Sequence, residues 1–185
     1  MASTSYVFNR GLLNGREVDR VFLHCSASNV ASHDDVQVIR SWHMGRGWKD
    51  VGYHYFIKST GELQIGRRLS WTPAAQVGHN IGTIAICLSG LNSEDFNDTQ
   101  FETLIKLCRD MNEQIPNLTF HGHNEVSDKA CPVFDYRKVL GLDELGVFGA
   151  IEKESGSDEL TDRISALERR VDVIERQALH FSKFE

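Results

Sequence analysis

The stretch Thr119–Phe134, TFHGHNEVSDKACPVF, sets His123, Lys129 and Cys131 in an H-x-x-x-x-x-K-x-C run closed by Pro132. An imidazole and a thiolate are ligands that borderline-soft zinc prefers. Lys129 is a cation suited to a substrate oxygen on which negative charge develops, although a lysine in a polar loop is ordinarily only solvated. A third ligand candidate stands far upstream, His24 in VFLHCSAS. Taken alone, a histidine closing an apolar strand reads first as a hydrogen-bonded core residue; its downstream partners make it a candidate ligand. Three protein ligands and one open position mark a catalytic zinc, whereas structural zinc sites are usually closed by four. Tyr53 follows a glycine at a strand start, and its phenol either reaches a neighbouring cleft or packs in the sheet.

These side chains need elements to hold them. Residues 1–18 read as a loose arm. RVFLHCS, from Arg20 to Ser26, has the apolar run of a buried strand, with His24 at its carboxyl end, where α/β sheets often face a cleft. Ser32 to His43 reads as a helix capped by Ser32 with Asp35 reaching back, and Val38, Ile39 and Trp42 form its apolar stripe. Tyr53 to Lys58 and Glu62 to Arg67 read as a hairpin around Ser59-Thr60-Gly61, with Tyr53 and Tyr55 on one face and His54 and Phe56 on the other. Thr83 to Leu88, TIAICL, is too apolar for an edge and should be a central strand. Thr99 to Ile115 reads as a helix with a Thr99/Glu102 capping box, stopped by Pro116. A short strand over Leu118–His121 and a closing helix over Phe134–Leu140 complete an α/β domain covered on both faces.

The chain has 185 residues, which suits one domain plus an appendage, and its formal net charge is −6. An acidic surface argues against nucleic acid as a partner, and no apolar run is long enough for membrane insertion. The N-terminus MASTSYVFNRG has neither a basic n-region nor an apolar h-region, so no signal peptide is expected and synthesis in a cytoplasm is. Of the four cysteines, Cys25, Cys87 and Cys108 sit among apolar neighbours and read as buried free thiols; Cys131 alone lies in a polar loop.

FLHCSAS, IRSWHMGRGWKDVGYHYFI and HNEVSDKACP, in that order, closely resemble the zinc N-acetylmuramoyl-L-alanine amidases related to phage lysozyme-amidases and peptidoglycan recognition proteins. The similarity covers roughly residues 18 to 141. It implies that His24, His123 and Cys131 hold Zn²⁺, that Tyr53 and Lys129 are the catalytic side chains, and that the fold is a mixed central β-sheet flanked by helices with zinc in a surface groove. It further implies a phage endolysin that cleaves the N-acetylmuramic acid–L-alanine amide of peptidoglycan, held in the host cytoplasm until a holin-type pore gives access to the cell wall. Relatives that bind peptidoglycan without cutting it commonly lose the cysteine ligand, and some lysozyme-amidases also restrain a phage RNA polymerase; both stand as alternatives. Two positions depart from the family. Val133 replaces a usual glycine, which should stiffen or redirect its loop, and Ala75 stands where histidine is common.

After the amidase-like region, 19–149, a polar linker is expected over 150–158 and a C-terminal helix over 159–185. There Leu160, Ile164, Leu167, Val171, Ile174, Ala178 and Phe181 step by four and three, a coiled-coil seam. Arg163 and Arg170 fall at g, Glu168 and Glu175 at e. The pattern suits a homo-oligomer, dimer or trimer; the alternative is an amphipathic helix lying on its own domain.

Overall fold

The computed structural model describes residues 8–149 and 166–175. Five strands, β1 (Arg20–Cys25), β2 (Tyr55–Ile57), β3 (Leu63–Ile65), β4 (Thr83–Leu88) and β5 (Thr119–Gly122), form one sheet in the order β3-β2-β4-β1-β5. Pairing is parallel everywhere except between β2 and β3, so the sheet is mixed. β4 is central and buried at all six positions, as its unbroken apolar run requires.

Alternation along the strands divides the core in two. Val21, Leu23 and Cys25 of β1 and Ile84, Ile86 and Leu88 of β4 face the larger half. Helix α2 (Asp98–Gln114) covers it with Leu104, Leu107, Cys108 and Met111, and α3 (Tyr136–Leu140) adds Tyr136 and Leu140. Each such buried apolar side chain contributes about 1.5–3 kcal/mol. The other face carries Phe56 and Cys87 against Val36 and Ile39 of α1 (Val36–Gly45). The α/β architecture with helices on both faces is therefore as the sequence implies.

Several boundaries differ from the pattern reading. α1 starts at Val36, because Asp35 caps it by accepting from Gln37 N at 2.7 Å; Ser32 lies in a preceding 3-10 turn, Ala31–His33. α2 is capped by Asn97 with Gln100, two residues ahead of the expected Thr99/Glu102 box. Asn97 is fixed there by donating through Nδ2 to Ser59 O, a tertiary contact that local spacing does not reveal. Gln100, Leu104, Leu107, Cys108 and Met111 form the inner face of α2, with Phe101 and Ile105 only partly buried. Regular pairing in β2 begins at Tyr55, so Tyr53 is not bound by strand alternation: it packs on the Phe56 face, opposite Tyr55. The arm expected over 1–18 is packed from Phe8 onward. Phe8 and Leu13 enter the larger core, and Arg16 donates to Leu69 O and Thr83 O.

Of the C-terminal appendage, the linker and most of the tail lie outside the described residues. The helical stretch 166–175 touches the domain through Arg170 with Asp143 and Asp172 with Asn117, and buries Val173.

Candidate metal centre

The sheet register brings the two histidines together. Leu23 of β1 pairs with Gly122 of β5 in parallel, so the next residues in each chain, His24 and His123, emerge side by side at the strands' carboxyl ends. Their ring centroids are 4.6 Å apart. The chain then makes a 3-10 turn, His123–Glu125, and doubles back. Asn124 N donates to Cys131 O at 2.7 Å, and Cys25 N donates to Cys131 Sγ at 3.3 Å, which anchors the cysteine against the end of β1. Gly122 is required at this corner: a Cβ there would lie 2.7 Å from the Tyr136 ring and 3.1 Å from Pro132.

The candidate ligand atoms of His24, His123 and Cys131 all lie within 4.8 Å of one another. Tetrahedral zinc with ordinary Zn–N and Zn–S bonds separates its ligand atoms by about 3.3–3.6 Å. His24 Nδ1 and Cys131 Sγ, at 3.9 Å, are already close to that spacing. Two imidazoles and a thiol suit zinc chemically, and three protein donors leave a coordination position for water or substrate. The residues fit the metal.

The right nitrogen faces inward because Gln76 selects it. Gln76 is fully buried; its Nε2 donates to Thr83 Oγ1 at 2.8 Å, so its Oε1 is the acceptor for His24 Nε2 at 3.2 Å. That fixes the proton on Nε2 and leaves the Nδ1 lone pair directed towards Cys131. Burial, then the neighbouring His123 and Lys129, lower the His24 pKa to about 3, against the supporting bond from Gln76. Burial and Lys129 also lower His123. Both rings are thus neutral near pH 7, the state that can ligate. The hydrogen-bonded neighbour Cys25 and burial push the Cys131 thiol up, so a bound cation would be what favours its thiolate.

Lys129 is exposed, its backbone N bonded to Ser127 Oγ, and its charge acts on both imidazoles. Tyr53 lies with its ring centroid 5.1 Å from that of His24 and 5.6 Å from that of His43. Burial pushes its phenol up, so the hydroxyl keeps its proton at neutral pH. The structure therefore gathers His24, His123, Cys131 and Tyr53 at one end of β1, with Lys129 on the loop that carries Cys131.

The other histidines have structural partners. His54 is a buried hydrogen-bonder between Trp71 O and Ala85 N. His121 is not exposed: it bonds Glu125 at 2.7 Å and Thr119 at 2.8 Å and lies against Phe22. Sequence reasoning missed His43, which accepts from Gly52 N and so holds α1 to the segment carrying Tyr53. It also missed Gln76, because a glutamine in an aperiodic loop gives no signal of burial.

Residues 14–134 match the N-acetylmuramoyl-L-alanine amidase family. The endolysin of Escherichia phage T7 is 33% identical over 133 residues, covering 69% of this chain and 88% of the relative. That of Klebsiella phage KP32 is 31% identical, covering 70% and 90%. Among solved structures, an endolysin amidase from Clostridium intestinale superposes with a TM-score of 0.62 at 24% identity, over 69% of this chain and 86% of that one. A complex of peptidoglycan recognition proteins with tracheal cytotoxin gives 0.57 at 26% identity, over 64% and 77%. The sheet order, the histidine pair and the match over two-thirds of its length lead to one conclusion: the chain belongs to the N-acetylmuramoyl-L-alanine amidase family.

Proposed function

We propose that this protein is a zinc-dependent N-acetylmuramoyl-L-alanine amidase that cleaves the amide between N-acetylmuramic acid and L-alanine in peptidoglycan, acting as a phage endolysin. The observation that carries the reading is the convergence of His24, His123 and Cys131 to within 4.8 Å. The similarity to endolysins of phages T7 and KP32 supports the biological setting. In that setting the enzyme accumulates in the host cytoplasm and reaches the wall through a holin-type pore.

Zinc, when bound, supplies Lewis acidity to the amide carbonyl and acidifies the attacking water. The protein's part follows from its own atoms. His24 and His123 present neutral imidazoles, and Gln76 keeps the His24 ring in the ligating tautomer. Lys129 places a positive charge where the carbonyl oxygen gains negative charge as the carbon becomes tetrahedral. Tyr53, still protonated at neutral pH, orients the water or donates towards the leaving amine.

Purified murein suspended in buffer is the direct assay. The wild-type protein should clear it, lose that ability to a chelator and recover with added zinc. Cys131→Ser should carry no stoichiometric zinc and leave the suspension turbid. A zinc-replete, fully active Cys131→Ser protein would remove Cys131 from the ligand set. Binding to murein with no clearing under any metal condition would instead favour a recognition module.

A further inference from the structure

The helical stretch 166–175 uses the wrong face to dock if docking were its whole purpose. Its buried face carries Val173, with Ala166 and Arg169 half-buried beside it. Two polar contacts hold it: Arg170 Nε lies 3.4 Å from Asp143 Oδ2, and Asn117 Nδ2 donates to Asp172 Oδ2 at 3.2 Å. Leu167, Val171 and Ile174 lie roughly a third of a turn around the helix from that face. They are 57%, 52% and 52% exposed. An amphipathic helix serving only its own domain turns such residues inward. This one keeps its aliphatic stripe in water.

We infer that the exposed Leu167–Val171–Ile174 stripe is a self-association surface whose occupant is the same stripe of a second copy of this chain, in parallel. The charge pattern selects both occupant and direction. In a parallel pairing Arg163 and Arg170 at g meet Glu168 and Glu175 at e of the partner. An antiparallel pairing sets g against g and e against e, arginine facing arginine and glutamate facing glutamate. The contact of Arg170 with Asp143 does not exclude the pairing, since a guanidinium carries five donors. In sequence the same three-four spacing extends from Leu160 to Phe181, long enough to continue the seam.

The placement of the helix gives the association a functional direction. Asn117 precedes β5, whereas His123 follows it, so the docked helix sits at the opposite end of that strand from the metal centre. Copies joined through the seam leave every centre unobstructed. Because Val173, Arg170 and Asp172 fasten the helix to its own domain, the assembly presents several centres in a fixed relation to a polymeric wall, a gain in effective concentration without new substrate contacts.

Sedimentation of the full chain tests this. The wild type should run at a multiple of 20.9 kDa. Val171→Asp, on the stripe, should run as a monomer while keeping its activity on a soluble muramoyl-peptide; Val173→Asp, on the docked face, should still associate. Ile174→Cys decides direction: mild oxidation should cross-link it to the same position of the second copy, which a parallel seam sets side by side and an antiparallel one holds apart. A variant that associates without cross-linking overturns the parallel pairing. A monomeric wild type, or association lost with Val173→Asp and kept with Val171→Asp, overturns the assignment.

Discussion

Lys129 and Val133 flank Cys131, the proposed sulfur ligand, and show two ways in which one residue shapes the centre. Lys129 is exposed, and its charge lowers both histidines; in the proposed reaction it is the partner of the oxyanion. Lys129→Ala should retain zinc and lower kcat by about 10²–10³, the usual loss for one oxyanion partner; a rate within twofold of wild type would return it to the solvated surface. Val133 has φ 66°, a left-handed backbone that glycine adopts freely and a β-branched residue resists. The loop therefore keeps a glycine-type backbone where glycine is usual in the family, despite the larger side chain. Val133→Gly should raise stability by about 1 kcal/mol or less, since relief of strain is partly offset by the freer unfolded chain. A lower Tm would show that the packing of Val133 on the core outweighs its strain. His123, Lys129 and Cys131 were legible because they share one short motif. Gln76 was not, because its importance comes from a contact with His24, 52 residues away.

At the scale of elements, Glu125 ties β5, the 3-10 turn and α3 into one corner beside the cysteine. It accepts from His121, from Gly122 N, from the Tyr136 hydroxyl and from Arg137 at 3.0 Å. Burial opposes its charge, but these donors prevail and hold its carboxyl at about 2, below an ordinary 4.5. A depressed carboxyl contributes stability that is full above its unfolded pKa and lost as pH falls towards the folded one. Unfolding midpoints should therefore fall between pH 4.5 and 2 more steeply in the wild type than in Glu125→Gln. Equal slopes would assign the acid limb to other groups. The elements themselves were readable where one period dominated, as in β1, β4 and the body of α2. Their ends were not: Ser32 and Asp35, or Asn97 and Thr99, are equally good caps by local chemistry. Side-chain contacts with Gln64 and Ser59, far along the chain, favour Asp35 and Asn97.

For the whole molecule, the centre joins parts of the chain that meet only in the folded state. A metal bound by native protein alone raises stability by about 2.7 kcal/mol at a hundredfold excess over Kd. Zinc should therefore raise Tm in a saturable, chelator-reversible way, and Cys131→Ser should lose most of that increment. The overall α/β plan was legible because alternating apolar strands and amphipathic helices permit few arrangements. The docked face of 166–175 was not, because a heptad pattern identifies the aliphatic stripe without saying that another face touches the domain. His24 and Cys131, whose side chains meet at 3.9 Å, are 107 residues apart. On the ribosome, most of the domain must therefore emerge before the donor set exists at all. A nascent or prematurely terminated chain lacks the three-donor centre through which the proposed hydrolysis would run.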